Sequence, residues 1–259
     1  MNTKIGTLGD RVANRLVRHF PQRTLRVAPG TPIVSFTFDD APESAWRNGA
    51  GILEDHGARG TYYLSGALAD QAGDAGRFIG ASGCTDLAAR GHELASHTFA
   101  HRKLADYAPK ELIADLDRND AYLARFDGRV GPRNFAVPFT MASPTIQPVL
   151  RKRFRTSRGG LKGVNRGLVD PHYLSVLELR PETSPAEVAA FYDDLEREPG
   201  WLIVFTHDIS DAPSAFGYTQ SGLAGLVGEA ARRGFVLATV DAAMDRLAGP
   251  VSKPLVMPA

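Results

Sequence analysis

At 259 residues the chain is long enough for one or two domains of about 150 residues, or for a single barrel of about 250. Hydrophobic residues at 43% and charged residues at 23% exclude a disordered tail, a collagen and a disulfide scaffold. A net charge of +1 gives no reason to expect a nucleic-acid binder.

Residues 1–30 read as a basic, helical N-terminal segment. Residues 1–26 carry Lys4, Arg11, Arg15, Arg18, Arg23 and Arg26 against Asp10 alone, a net of +5 that leaves −4 on the rest. Leu8, Val12, Leu16 and Phe20 fall on one helical stripe with Arg11, Arg15 and Arg18 beside it. Such a helix could make peripheral contact with an anionic membrane, or pack on its own domain or on a second subunit in a homodimer. No apolar run reaches the roughly 18 residues of a membrane span, and no apolar core precedes a cleavage site. The expectation is a cytoplasmic protein, at the inner face of the membrane if the helix docks there. The single cysteine, Cys84, fits a reducing compartment and reads as a packed residue.

From residue 32 onward, short apolar runs alternate with helical patterns, the signature of parallel βα units. Strands are predicted at 33–38, 60–64, 93–96, 134–137, 154–157, 174–178, 201–206 and 235–240. Lys110 to Phe126 places Leu112, Ile113, Leu116 and Leu123 near one helical face, and Ser143-Pro144 opens another helix. Ser184, Pro185 and Glu187 form a capping box before Val188, Phe191 and Leu195, and Pro199-Gly200 stop that helix. Leu223, Leu226 and Val227 mark a last helix before Gly234. About eight units in some 210 residues are tight for a full (β/α) barrel, so an α/β fold with a distorted or incomplete barrel of parallel strands is expected over 31–248, followed by a tail, 249–259.

In that architecture the chemistry lies just beyond strand C-termini. The first strand runs into Asp39-Asp40, the third into His97 with His101 four residues on, the fourth into Pro138-Phe139, and the seventh into His207-Asp208. Two histidines at i and i+4 plus a carboxylate give three ligands and an open position, a catalytic rather than a structural metal site. Histidines four apart also arise by chance, and Asp39-Asp40 could simply cap a helix ahead of Pro42. Two histidines and a carboxylate suit Fe(II) oxygenases as well, although paired acids and a strand-end histidine argue against that chemistry. His19, His56, His92 and His172 match no such pattern and read as structural.

The ordered set TFDD, HTFAH, FAVPFT and FTHD, with GTYYLSG, GHELASH and GVNRG around it, resembles the polysaccharide deacetylase family, carbohydrate esterase family 4 with the NodB homology fold, over about residues 31–245. Within it the chain looks closest to bacterial exopolysaccharide deacetylases of the holdfast adhesin type. The resemblance implies a metal held by Asp40, His97 and His101, most often Zn(2+) although another divalent ion would serve, with Asp39 as base and His207 as acid. It places Pro138 and Phe139 at the oxyanion; Phe205 and Arg158 are further candidate oxyanion or substrate residues. The implied reaction is hydrolysis of N-acetylhexosamine units in a bacterial polysaccharide or its lipid-linked or oligomeric precursor, releasing acetate.

The sequence departs from the family pattern at Ala136, where an arginine that pairs with the catalytic aspartate is usual, and at Thr140, where glycine is usual; no DxxW-type motif is present. Either another residue supplies the charge, or the site is weak or dead and the protein is a saccharide-binding scaffold. Arg158, in TSRGG just past the fifth predicted strand, could orient Asp39 or could be a solvated surface residue. Base, ligands and acid survive together, which favours a working site. The cluster Arg151, Lys152, Arg153, Arg155 could bind a phosphate or simply end a helix. Trp46, Trp201 and Phe216 read as core in preference to sugar-stacking residues.

Overall fold

A computed structural model describes residues 8–19, 21, 22 and 24–248. All eight predicted strands form: β1 (Ile33–Asp39), β2 (Thr61–Leu64), β3 (Glu93–Ser96), β4 (Asn134–Ala136), β5 (Thr156–Lys162), β6 (Leu174–Glu178), β7 (Trp201–Thr206) and β8 (Val236–Leu237). The first seven are parallel neighbours in chain order. The ladder from Trp201↔Ile33 to Thr206↔Phe38 closes β7 back on β1, making a seven-stranded barrel. β8 pairs only with Ile33 and Val34, low on the edge of β1 whose upper half, Thr37 to Asp39, pairs with β2.

Side chains alternate along each strand, so β1 and β7 each serve two cores. Ile33, Trp201, Ile203 and Phe205 fill the barrel with Leu174 and Val176. Val34, Phe36, Phe38, Leu202 and Val204 face outward into the layer of helices. The helices are α1 (Leu8–His19), α2 (Ala50–Glu54), α3 (Ala81–Ala89), α4 (Pro109–Asp127), α5 (Gln147–Arg153), α6 (Pro185–Arg197), α7 (Gln220–Arg232) and α8 (Val240–Ala248). Val240, Ala243 and Met244 of α8 join the barrel-filling cluster from its N-terminal end, leaving the opposite mouth for chemistry.

Three boundaries differ from the sequence expectation, one being β8, predicted over 235–240, which stops at Leu237 because Val240 already begins α8. α5 starts at Gln147 because Pro148, lacking an N–H, is confined to a first turn; Ser143 instead closes a preceding turn through its carbonyl. β5 begins at Thr156 and runs through Gly159-Gly160 to Lys162, so Arg158 lies inside the strand, not beyond it. No helix among the described residues is long and apolar enough to cross a membrane.

Candidate active site and metal centre

The chain after β1 turns sharply: Asp40 and Ala41 have φ of 58° and 48°, so Asp39 ends the strand inside the barrel while Asp40 swings over its mouth. Thr98 and His101 after β3, and Phe139 and Thr140 after β4, have φ of 65°, 48°, 56° and 56°. These six are among seven non-glycine residues with positive φ in the described chain, and each costs of order 1 kcal/mol. The strain is concentrated in the three loops carrying the predicted site residues.

α4 braces two of these ends. Asp115 accepts the N–H groups of Phe99 and Ala100 at 2.6 and 3.1 Å, fixing the turn between the two histidines. Asn119 accepts from Gly66 N–H and donates to Leu64 O and Ser96 Oγ, fixing the ends of β2 and β3. Neither was singled out in the sequence; the available signal was a pair of polar residues four apart on the same helical face as Leu112, Leu116 and Leu123.

The structure brings Asp40, His97 and His101 together, each offering one ligand atom within 4.8 Å of the others. His101 Nε2 is 3.2 Å and His97 Nε2 3.8 Å from Asp40 Oδ1. His97 Nδ1 donates to the Ala136 carbonyl at 2.8 Å, the tautomer that leaves the Nε2 lone pair free for a metal. Burial, followed in each case by smaller charge effects, pushes His97 down to about 3 and His101 down to about 4, so both rings are neutral near pH 7. Burial, reinforced by the charge of Asp39 and opposed by His207 and Arg158, pushes Asp40 up to about 7. Asp40 Oδ1 is buried without a hydrogen-bond partner. A buried carboxylate oxygen facing two free imidazole nitrogens fits a divalent cation, and three ligands leave coordination positions open.

Asp39 is 4% exposed, with Oδ2 at 4.0 Å from His97 Nε2. Its Oδ1 accepts from Arg158 Nη2 in direct contact. Burial would raise its pKa, but Arg158, His97 and His207 more than offset this and hold the carboxyl below its usual range. Arg158 is 1% exposed, with its guanidinium carbon 4.8 Å from the Tyr63 ring centroid and 4.4 Å from that of Phe205. Room for it comes from small neighbours in the same layer, Ala95 and Ala136. Ala136 is the register partner of Arg158 across β4 and β5. Phe205, 2% exposed, therefore lies under the guanidinium as its floor and has no open face toward a saccharide.

His207 is half-buried beyond β7, its Nδ1 3.2 Å from the Phe216 carbonyl, with Nε2 left for chemistry. Its neighbour Asp208 is structural: it accepts from Ser214 N–H and Ser214 Oγ and folds the loop that returns Phe216 to His207. Pro138 is buried, while the Phe139 ring is 46% exposed and 4.8 Å from that of His101, forming an apolar rim.

Other residues weighed in the sequence find structural partners. Arg151 pairs with Asp170, Arg153 with Asp117 and Asp120, and Arg155 with Asp241 and Asp245, which accounts for the three arginines of the basic cluster without a phosphate. Burial pushes the Cys84 thiol up to about 11, away from a nucleophile. Trp201 is fully buried and donates to Ser35 Oγ, and Trp46 donates to Asp86. His92 is tied to Gly60 N–H and Glu54.

The polysaccharide deacetylase family model matches residues 26–153. Similar solved structures include a family 4 acetyl xylan esterase from Clostridium thermocellum in complex with a cobalt ion, 20% identical, TM-score 0.59, covering 82% of this chain and 90% of that one. The peptidoglycan deacetylase PdaC from Bacillus subtilis is 14% identical, TM-score 0.56, over 86% of this chain and 94% of its own. Bacillus subtilis PdaA, a family 4 carbohydrate esterase, is 15% identical, TM-score 0.57, over 89% and 88%. At these identities the likeness is one of fold. Sequence comparison with curated proteins finds no match.

Proposed function

From the match of the polysaccharide deacetylase family model to residues 26–153, we propose that the chain belongs to that family and is a metal-dependent hydrolase removing acetyl groups from N-acetylhexosamine units of a bacterial polysaccharide or its lipid-linked or oligomeric precursor. The observation that carries this reading is the buried, unpartnered Asp40 Oδ1 facing His97 and His101, with a second carboxylate, Asp39, beside it.

Asp40, His97 and His101 would hold the ion, most readily Zn(2+) given two imidazoles and one carboxylate. A divalent cation there supplies positive charge that acidifies a water and polarises the acetamide carbonyl. Asp39, kept ionised and oriented by Arg158, takes the proton of the attacking water on its carboxylate. The backbone N–H of Phe139 is assigned to the developing oxyanion. His207, held through Nδ1 by the Phe216 carbonyl, delivers a proton from Nε2 to the departing amine. The C–N bond breaks, acetate leaves, and the sugar keeps a free amine. The scaffold alternative rested on the alanine at 136, and the contact of Arg158 with Asp39 removes its main support.

The test is acetate release from N-acetylglucosamine oligomers by purified protein, before and after chelation and zinc re-addition. Loss on chelation and return with zinc are expected. Absence of acetate from any acetylated saccharide by metal-loaded protein would refute the enzyme reading.

A further inference from the structure

Two apolar side chains of α1, Val12 and Leu16, stay open to solvent among the described residues. The inward side of the helix is fixed, because Val17 is 5% exposed and clusters with Ala142 and Tyr173, while Tyr173 Oη donates to Asn14 Oδ1 at 2.8 Å. Val12 and Leu16, one turn apart, are 51% and 44% exposed. The adjoining surface has the same character. A groove of about 420 Å³ runs from Val17 and Pro21 to Leu161 and Leu168. Leu168 is 56% exposed and lies opposite the exposed Arg26 in the short antiparallel ladder between Leu25–Val27 and Gly167–Val169. Of the seven large hydrophobic residues exposed among those described, two, Val12 and Leu16, lie on α1 and two, Leu161 and Leu168, line the groove that begins at Val17 and Pro21.

Charge identifies the partner. Residues 1–26 hold six basic residues and one acidic one. A second copy packed here about a two-fold axis would bring two such segments face to face, an arrangement that like charge opposes. A lipid surface bearing phosphate headgroups is complementary both to the positive charge and to apolar side chains that reach only into the headgroup–acyl boundary. We propose that α1, together with Leu161 and Leu168, docks the protein on an anionic lipid bilayer.

Val17 packs on Ala142, two residues beyond the loop that carries Phe139, so docking would place the mouth of the site beside the bilayer. A saccharide carried on a lipid would then be presented directly to it. This consequence rests on the deacetylase reading; the docking does not.

The full chain is sedimented with vesicles of phosphatidylglycerol and phosphatidylcholine, and with phosphatidylcholine alone. Binding to the anionic vesicles only, reversed by high salt, is expected. Val12→Asp/Leu16→Asp should bind at least about tenfold more weakly, with unchanged thermal unfolding and unchanged acetate release from soluble oligomers. Leu168→Asp is a second variant on a separate element should the first not fold. Failure of the wild type to bind anionic vesicles, or equal binding by folded variants, overturns the proposal. So does a wild-type dimer dissociated by the same substitutions, because the face is then covered by a second copy. Vesicle binding as expected without acetate release from any protein would leave docking standing and remove the deacetylase reading alone.

Discussion

Asp39 and Asp40 are sequence neighbours with opposite electrostatic surroundings. One is matched by a buried guanidinium, and the other faces two neutral imidazoles and needs a cation to be comfortable. Replacing Arg158 by alanine is therefore expected to lower kcat for acetate release by about a hundredfold with little change in KM, the scale of a misplaced general base. Adding Ala136→Arg to Arg158→Ala should recover part of the loss, because the two positions face each other across β4 and β5. An unaltered kcat in Arg158→Ala would show that Asp39 needs no such partner. Substitution of His97 or His101 by alanine should cost at least about a hundredfold in zinc affinity, read by metal analysis of dialysed protein, since a direct ligand matters no less than its supporting hydrogen bonds. The strand-end motifs were legible because each follows an apolar run that sets its height in the barrel. The Arg158 contact with Asp39 was legible as one of two readings, but its place inside the strand was not. Gly159-Gly160 reads as a strand stop, yet both stay in β5, where added Cβ atoms would meet the Tyr173 ring at 2.9 Å and Thr140 Cβ at 2.5 Å.

At the scale of elements, the loops decide whether the site is assembled. The loop after β7 is wound round Asp208, whose side chain and carbonyl leave no space at position 217. A Cβ on Gly217 would lie 2.3 Å from Asp208 Oδ1 and 2.6 Å from its carbonyl oxygen. Gly217→Ala should therefore cost about 2 kcal/mol in chemical denaturation and depress kcat, because Phe216, whose carbonyl holds His207, must move with it. Full stability in Gly217→Ala would mean that the loop relaxes freely and does not position His207. The amphipathic stripe of α1 was legible as a pattern, but its orientation was not. Of the stripe residues, Val12 and Leu16 are exposed, the side chain of Leu8 and residue Phe20 lie outside the described residues, and the inward contact is made by Val17. Periodicity reports that a helix has two faces; which one is covered depends on a receiving surface, here Tyr173 and Ala142, that is distant in sequence.

For the whole molecule, closure requires the chain's end to return to its beginning. Eight strand-like runs do not reveal that the barrel closes at seven, because β8, two residues long and paired low on β1, does not differ from the others in composition. What secures that return is polar and lies at the barrel's base, opposite the site. Asp241, in the first turn of α8, accepts from Arg129 at 2.8 and 2.9 Å and from Arg155 at 2.7 Å, while its own N–H donates to buried Glu93 at the start of β3. Arg155 also reaches Asp245. Burial would raise the pKa of Asp241, but its hydrogen bonds and charge pairing with Arg129 and Arg155 hold it below the usual aspartate range. A carboxyl depressed in the folded state stabilises the protein above its unfolded pKa and loses that contribution as pH falls through the folded value. Asp241→Asn should accordingly be less stable than wild type by about 2 kcal/mol at neutral pH, where charged hydrogen bonds to two arginines are lost. The difference should narrow as the pH falls below the usual aspartate range and through the depressed folded value, where the wild-type carboxyl becomes protonated as well. Denaturant unfolding of both proteins across that range measures it. A gap that stays constant with pH would assign the contact to packing and leave the anchoring of α8 to its apolar side, Val240, Ala243 and Met244.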